Sequence, residues 1–326
     1  MTLLPPPRLL LSDTALARLS PRLATQAEAV PLADAERGAP FDAAFVSRDV
    51  TGLSTKHEVL PATARFYDAL LAQPGLRWVH VHSAGADRPV YQALRARGVQ
   101  VSTSSGTNAA VVAQTALAGV LALARRFPEL MAAQRDRRWA PLIGSGLPRD
   151  LAGQTAVVVG WGAIGRQVGA WLAMLGLRVV AVRRARGPAD SGAECVSYND
   201  LPETLPRADW LVLACPLTER TRQLVDRAAL ARLPAGSHLV NVARGEVLDE
   251  AAVVDALRSG RLAGAYLDVF AHEPLPPDSP LWQLPNVIAT PHSAGFSDGN
   301  AARVDALFLD NLARWRASQR LRNATE

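Results

Sequence analysis

Three separated segments of the sequence each come directly after an apolar run. Each contains a residue that can bind a charged group or exchange a proton. They supply Arg244, Glu273 and His292. An arginine holds a carboxylate and polarises a carbonyl with a planar, permanently charged fork, and a histidine exchanges a proton near neutral pH. A carboxylate beside the histidine favours its protonated form and orients the ring. Because reduction of a 2-oxo acid by hydride transfer requires these three groups, we interpret them as a candidate catalytic set.

A glycine-rich segment upstream has the pattern Gly-x-Gly-x-x-Gly. It follows the apolar run Thr155 to Val159 and precedes a helical pattern, Gln167 to Leu175, which is the context of a dinucleotide-binding turn. The glycines permit a tight turn and a close approach of the pyrophosphate, and the helix N-terminus attracts the phosphates. We predict cofactor contacts from Gly160, Trp161, Gly162, Ala163, Ile164 and Gly165.

The second strand of this unit, Leu177 to Val182, ends in Arg183 and Arg184, and no carboxylate occurs before Asp190. A carboxylate at the end of this strand binds the adenosine ribose of NAD, whereas arginine suits the 2′-phosphate of NADP. The sequence therefore predicts cofactor contacts from both arginines, with NADP preferred and NAD as the alternative. A solvated surface turn is the other interpretation of the same residues.

Short apolar runs alternate with helical patterns over about the first hundred residues and again from residue 151 to about 288. This alternation predicts two α/β units, each with a parallel sheet covered by helices on both faces. Between them, Asn108 to Arg126 is apolar on most faces, which indicates a helix packed on two sides. Phe296 to Arg316 predicts a C-terminal helix, and residues 141–148 are the most linker-like stretch.

The composition favours a cytoplasmic enzyme. The 326 residues carry a net charge of +5 from scattered basic residues, which predicts no nucleic-acid partner. The chain has no long apolar run and no signal-peptide pattern, so no membrane association is expected. The one lysine, Lys56, matches neither a Schiff-base nor a P-loop pattern. Cys195 and Cys215 are too few for a disulfide framework or a zinc site, and no metal is expected.

Together these segments resemble the D-isomer-specific 2-hydroxyacid dehydrogenase family, in particular its glyoxylate/hydroxypyruvate reductase-like members. The resemblance covers nearly the whole chain and is most specific at the glycine turn, Asn-x-x-Arg-Gly, Asp-Val-Phe…Glu-Pro-Leu and Thr-Pro-His. It implies that Arg244 binds and activates the substrate, that His292 is the acid/base and that Glu273 is its partner. It also implies substrate contacts from Ala84 and Gly85, and cofactor contacts from Cys215, Pro216, Thr221, Ala243 and, through the nicotinamide amide, Asp268.

The resemblance further implies an architecture and an assembly. A Rossmann dinucleotide-binding domain, residues 107–292, is inserted into a flavodoxin-like substrate-binding domain built from residues 1–106 and 293–326. The assembly is a homodimer formed mainly through the nucleotide domains, with residues 126–146 as its arm. Two positions depart from the family pattern: Gln114 stands where members often have glutamate, and Arg183 replaces the ribose carboxylate.

Two alternatives remain open from the sequence. A related enzyme could act on formate, phosphite or a bulkier 2-hydroxy acid, although the intact arginine, glutamate and histidine favour a small 2-oxo acid. Family relatives also include co-repressors that sense the dinucleotide without catalysis. The pattern fixes neither the preferred acid nor the direction of the reaction, and Arg48, His82 and Trp139 are only candidates for the substrate pocket.

Overall fold

The computed structural model describes residues 6–23, 26–185 and 193–325. Their contacts separate two compact units: residues 1–108 with 297–326 form the first unit, and residues 109–296 form the second. In chain order, the second unit therefore stands between the two parts of the first.

The first unit is built around a five-stranded parallel sheet. Its strands are β1 (Arg8–Leu11), β2 (Glu28–Pro31), β3 (Ala43–Val46), β4 (Trp78–Val81) and β5 (Gln100–Thr103). Its helices are α1 (Asp13–Leu23), α2 (Leu32–Glu36), α3 (Arg48–Thr51), α4 (Pro61–Ala72) and α5 (Pro89–Ala96). The strand order is β2-β1-β3-β4-β5, which is the flavodoxin-like order with a reversal between β1 and β3.

The second unit has a seven-stranded sheet, again parallel throughout. Its helices are α6 (Ala109–Ala124), α7 (Phe127–Arg135), α8 (Ala163–Met174), α9 (Leu201–Thr204), α10 (Arg227–Arg232) and α11 (Glu250–Arg258). Its strands are β6 (Thr155–Val159), β7 (Arg178–Arg183), β8 (Glu194–Ser197), β9 (Trp210–Leu213), β10 (Ser237–Asn241), β11 (Leu262–Leu267) and β12 (Val287–Ala289). The order β12-β11-β10-β9-β6-β7-β8 reverses between β6 and β9. This is the Rossmann arrangement, in which ligands bind outside the carboxyl ends of the strands near the reversal.

The last helix, α12 (Asn300–Arg316), belongs to the first unit. Phe308 of α12 stacks on Phe45 of β3 with ring centroids 4.4 Å apart. Beside them, His80 is fully buried, and burial together with nearby His82 lowers the pKa of His80 to about 3. Its Nδ1 lies 2.8 Å from Ser102 Oγ and its Nε2 lies 3.0 Å from Ser104 Oγ. The imidazole is therefore held neutral within a hydrogen-bonded core.

The predicted fold class, two α/β units with doubly wound parallel sheets, is confirmed. The sequence missed β2 and β8, because both are edge strands whose residues are mostly half-exposed and carry no continuous apolar run. The predicted helix from Asn108 to Arg126 is shorter, since α6 ends at Ala124 and Arg126 adopts a left-handed conformation with φ of 55°. The linker-like stretch contains one short 3-10 turn, Leu142–Ser145.

Across the described ranges, no single helix is long and apolar enough to cross a membrane. α6 and α7 reach that length and composition only as a pair, and the pair is bent by 71° where the two helices meet.

Candidate active site

Three neighbouring strands of the second sheet, β10, β11 and β12, carry the candidate catalytic residues beyond their carboxyl ends. Arg244 follows β10, Glu273 lies in the loop that follows β11, and His292 follows β12. Because these strands are parallel and adjacent, their carboxyl ends meet at one edge of the sheet. The topology therefore brings together residues that are up to 48 positions apart in the sequence.

The loop that carries Arg244 is braced by Asn241, the fully buried last residue of β10. The side-chain amide of Asn241 donates to the carbonyl oxygen of Arg244 at 3.0 Å and accepts from the N–H of Ala243 at 3.0 Å. Gly245 packs so tightly on the next loop that an added Cβ would lie 1.8 Å from the carbonyl carbon of Phe270. The sequence included this asparagine and glycine in a motif but assigned them no role, which the geometry now supplies.

His292 and Glu273 form a direct pair. The Nδ1 atom of His292 lies 2.8 Å from a carboxylate oxygen of Glu273, and the other oxygen accepts from the N–H of Phe270 at 3.1 Å. Burial opposes ionisation of Glu273, but His292, the Phe270 N–H and the charge of Arg244 together lower the pKa of its carboxyl below the usual value. An ionised carboxylate only accepts hydrogen bonds, so Nδ1 carries the hydrogen and Nε2 is directed away from the pair.

The two side chains differ in exposure in a way that suits catalysis. The side chain of His292 is 48% exposed, whereas the side chain of Glu273 is 13% exposed. The pair therefore presents the ring to a ligand and keeps its acidic partner beneath the surface. The charge of Arg244 also acts on Glu273, so the structure brings the three predicted catalytic residues close together.

Asp268 lies directly after β11 and is only 2% exposed. One of its carboxylate oxygens accepts from the hydroxyl of Thr290 at 2.6 Å and from the N–H of Ser293 at 2.8 Å. Both oxygens also lie within 3.1 Å of the N–H of Ala294. Burial raises the pKa of Asp268 despite these bonds. In the structure this carboxylate thus organises the loop around His292, and its predicted contact with the nicotinamide amide stays a prediction.

The glycine turn has the geometry that a bound dinucleotide needs. Gly160 has a φ of +98°, and an added Cβ there would lie 2.5 Å from the backbone nitrogen of Cys215. A Cβ on Gly165 would lie 1.9 Å from the carbonyl oxygen of Gly160, whereas Gly162 faces open space. Gly162 also caps the start of α8, whose first N–H groups have no partner within the helix. These residues fit a pyrophosphate, because the backbone is bare at Gly162 and the N-terminus of the helix attracts anions.

The other residues predicted in this turn differ in exposure. Ala163 is exposed and Ile164 is half-buried. Trp161 is only 5% exposed and packs over Gly169, where an added Cβ would lie 2.4 Å from the indole ring. The backbone of Trp161 can face a cofactor, but its side chain belongs to the core of the unit.

Two of the predicted arginines lie at the end of β7, and a third arginine, Arg220, comes from the loop after β9. Arg183 is half-buried and its Nε donates to the carbonyl oxygen of Ala185 at 3.0 Å, while Arg184 is exposed. Arg220 stacks over the ring of Tyr198 at 5.4 Å; burial raises the pKa of Tyr198 to about 12, against the opposing charges of Arg184 and Arg220. The sequence missed Arg220 because it lies 36 residues beyond Arg184. Asp190, which the sequence argument also used, lies outside the described residues.

Three of the remaining predicted cofactor contacts lie in the loop after β9, and the fourth, Ala243, follows β10. Cys215 is buried, and burial raises the pKa of its thiol to about 11, so it is an uncharged core residue. Pro216 is exposed. Thr221 is buried, and its hydroxyl donates to the carbonyl oxygen of Pro216 at 2.7 Å, which closes the loop on itself. Ala243 is likewise buried beside Arg244.

The predicted substrate loop belongs to the first unit and follows β4. Ala84 is exposed and Gly85 is half-buried; the hydroxyl of Ser83 donates to the carbonyl oxygen of Gly85 at 2.7 Å. The pocket candidate His82 precedes this loop, and its Nε2 lies 2.8 Å from the hydroxyl of Thr51. Arg48 begins α3 at the same edge of the first sheet. Trp139, the third pocket candidate, is 96% exposed in the second unit.

The family model and the relatives of similar sequence point to the same protein family. Residues 117–294 match the model of the D-isomer specific 2-hydroxyacid dehydrogenase, NAD binding domain. The chain is 34% identical over 271 residues to a glyoxylate/hydroxypyruvate reductase B of Klebsiella pneumoniae, covering 82% of this chain and 84% of that protein. It is 40% identical over 237 residues to a D-3-phosphoglycerate dehydrogenase of Mycobacterium leprae, covering 72% of this chain. The matched region spans only 44% of that longer relative.

Solved structures agree over almost the entire length. A D-isomer specific 2-hydroxyacid dehydrogenase from Xanthobacter autotrophicus Py2, in complex with NADPH and MES, is 30% identical, has a TM-score of 0.77 and is covered over 98% of both chains. Family match, relatives and fold thus converge with the sequence motifs. The chain belongs to the D-isomer-specific 2-hydroxyacid dehydrogenase family, whose members are NAD(P)-dependent oxidoreductases acting on the CH–OH group of their substrates.

Proposed function

We propose that this protein reduces a small 2-oxo acid of the glyoxylate or hydroxypyruvate type to the D-2-hydroxy acid. The observation that carries the proposal is the pair formed by His292 and Glu273 at 2.8 Å, beside the charge of Arg244. That pair fixes Nδ1 as the donor to the carboxylate and leaves Nε2 for the substrate. A relative named glyoxylate/hydroxypyruvate reductase B supports this choice of acid.

Each catalytic residue has a separate task in this proposal. Arg244 binds the substrate carboxylate and attracts the negative charge that develops on the carbonyl oxygen. The nicotinamide, when bound, supplies the hydride that reduces the carbonyl carbon. The protonated His292 gives the Nε2 proton to the carbonyl oxygen, so the oxygen becomes a hydroxyl and the ring becomes neutral. Glu273 stabilises the charged ring before that transfer. Ala84 and Gly85 would add backbone N–H groups to the carboxylate.

We also propose NADP as the preferred cofactor, held by the glycine turn and by the arginines after β7. The support is the half-buried Arg183 and the neighbouring cationic groups Arg184 and Arg220. The solved relative from Xanthobacter contains NADPH. Oxidation of D-3-phosphoglycerate is a second candidate, since the relative with 40% identity bears that name.

The assembly that we propose is a homodimer with residues 126–146 as an arm. Its support is the exposure of large apolar side chains on this segment, including Met131, Trp139 and Ile143 at 59%, 96% and 83%. A monomer rarely leaves such a group of apolar side chains in water. Sedimentation at micromolar concentration should give a species of twice the chain mass, and a monomer would contradict this part of the proposal.

A substrate panel tests the function directly. We expect loss of NADPH absorbance with glyoxylate or hydroxypyruvate at a catalytic efficiency well above that with pyruvate or with bulkier 2-oxo acids. The same panel is run with NADH, and in the oxidative direction with D-3-phosphoglycerate. Dinucleotide binding without turnover of any acid would favour a dinucleotide sensor and would overturn the proposal.

A further inference from the structure

A chain of side-chain hydrogen bonds runs through the interior of the second unit and ends at the loop that carries His292. It begins at Tyr266 on β11, whose hydroxyl lies 2.8 Å from the hydroxyl of Thr290. The Thr290 hydroxyl in turn lies 2.6 Å from Asp268. Tyr266 is 3% exposed and Asp268 is 2% exposed, and Thr290 between them is half-buried. None of the motifs in the sequence pointed to Tyr266.

The direction of each bond follows from the groups involved. The carboxylate of Asp268 only accepts, so the hydroxyl of Thr290 must donate to it. The Thr290 oxygen then accepts from the O–H of Tyr266. Tyr266 keeps its proton, because burial raises its pKa to about 12. Each donor thus has one acceptor, and the polarisation of the chain points toward the buried charge.

Asp268 and Thr290 hold the backbone of His292 from both sides. The N–H of His292 donates to the carbonyl oxygens of Asp268 and Thr290 at 2.8 and 2.9 Å. The Asp268 carboxylate accepts from the N–H groups of Ser293 and Ala294. His292 itself has a φ of +49°, a conformation that costs energy for a residue with a side chain. The surrounding bonds stabilise that conformation, which aims the ring at Glu273.

Helix α6 supports the same loop at two points. An added Cβ on Gly119 would lie 2.5 Å from Cγ of Tyr266, so the tyrosine ring rests on the bare backbone of the helix. One turn earlier, the hydroxyl of Thr115 donates to the carbonyl oxygen of Ala294 at 3.1 Å. The ring therefore has one position, and its hydroxyl is fixed opposite Thr290.

From this arrangement we propose that Tyr266 is a positioning residue for His292, acting through Thr290 and Asp268. The proposal rests on the proposed function, since it assumes that His292 is the acid/base. Tyr266 touches neither His292 nor Glu273 in this chain of bonds. Its hydroxyl fixes the rotamer of Thr290, which keeps the Asp268 carboxylate aligned with the N–H groups of the two residues that follow His292.

The test is the variant Tyr266→Phe, which keeps the ring on Gly119 and removes only the hydroxyl. We expect kcat with glyoxylate to fall about three- to tenfold, as for loss of one buried hydrogen bond, while KM and the dissociation constant of NADPH stay within about twofold. The matched control is Tyr91→Phe, because Tyr91 is also buried and bonds its hydroxyl to another tyrosine, Tyr67, in the first unit. This control should keep the wild-type kcat.

A double-mutant cycle separates positioning from general stability. Thr290→Val should lower kcat, and Thr290→Ser, which keeps the hydroxyl, should retain it. In the Thr290→Val background, Tyr266→Phe should have no further effect, because the chain is already interrupted. Multiplicative losses in the double variant, or an unchanged kcat in Tyr266→Phe, would overturn the proposal.

A readout independent of turnover distinguishes this proposal from the proposed function. The imidazole resonances of His292, assigned with His292→Ala, should shift or broaden in Tyr266→Phe and remain unchanged in Tyr91→Phe. If those resonances change while His292→Ala keeps full activity, the positioning stands and the assigned function of His292 fails. Unchanged resonances together with a normal kcat in Tyr266→Phe would dismiss the positioning role alone.

Discussion

At the scale of single residues, the candidate site depends on a histidine with one ring nitrogen bonded to a carboxylate and the other left unbonded to that carboxylate. The Nδ1 edge of His292 is bonded to Glu273, and its backbone is bonded to Asp268 and Thr290. The other ring nitrogen is left for a ligand. This asymmetry supports the roles in the proposed function, in which the pair transfers the proton and Arg244 binds the negatively charged substrate.

Removing the imidazole should therefore abolish most of the catalysis and little of the binding. We expect His292→Ala to lower kcat by about 10²–10⁴-fold, the usual contribution of general acid catalysis, with NADPH affinity near the wild-type value. Stopped-flow reduction and a fluorescence titration of NADPH measure the two quantities. Glu273→Gln is the companion variant, and its kcat should lie between that of the wild type and that of His292→Ala. An unaltered kcat in His292→Ala would exclude the histidine from the chemistry.

The geometry of the guanidinium is the second feature at this scale. Arg244→Lys keeps the positive charge but loses the bidentate fork, so KM for the 2-oxo acid should rise and kcat should fall together. Steady-state kinetics with the preferred acid measures both. Arg258→Lys, an exposed position at the end of α11, is the control and should behave like the wild type. Wild-type constants in Arg244→Lys would mean that the arginine has only a structural role.

At the scale of elements, the strand ends decide what the site can bind. The turn after β6 and the segments after β10 and β12 follow continuous apolar runs, so the sequence located them correctly. It could not locate the bond between Tyr266 and Thr290, because a single tyrosine after three small residues has no periodic signature and its partner follows the adjacent strand β12. Asn241 was visible in a motif, but its bracing of Arg244 depends on the bend of the chain after β10.

The end of β7 should decide cofactor choice. A charge-assisted bond from Arg183 to the 2′-phosphate is worth roughly 1.5–3 kcal/mol before screening by solvent, so we expect NADPH to exceed NADH at least about tenfold in kcat/KM. Arg183→Asp should erase or reverse that preference, because it removes an attraction and adds a repulsion. Arg178→Asp, an exposed change at the start of the same strand, is the control. Equal efficiency of both cofactors in the wild type would contradict the assignment.

At the scale of the whole molecule, one buried and two half-buried histidines couple stability to pH, and they lie in both units. Burial lowers the pKa of His80 and of His82 to about 3 in the first unit, and that of His238 to about 4 in the second. The unfolded chain takes up protons on these groups below their ordinary value near 6.5, whereas the folded chain does not. The contribution of these neutral histidines to the free energy of unfolding is therefore fully present above about pH 6.5. It decreases as the pH falls toward 3 or 4.

For fully buried His80, this linkage amounts to about 2 kcal/mol between pH 7.5 and pH 5. We expect the free energy of unfolding in urea to be lower at pH 5, and the difference to be smaller in His80→Gln. The quantity to compare is the change in the free energy of unfolding between the two pH values. The absolute stability of the variant is less informative, because the substitution also disturbs the bonds to Ser102 and Ser104. Equal stability at both pH values would show that the folded protein accepts the proton.

The packing of Tyr266 on Gly119 also limits which residues can occupy these two positions during evolution. With an added Cβ only 2.5 Å from the ring, neither residue can be replaced by a larger one independently of the other. A side chain can be gained at position 119 only after Tyr266 is replaced by a smaller residue. That replacement also removes the hydroxyl that bonds to Thr290. The two positions should therefore covary among relatives, with tyrosine at the second found only where glycine occupies the first.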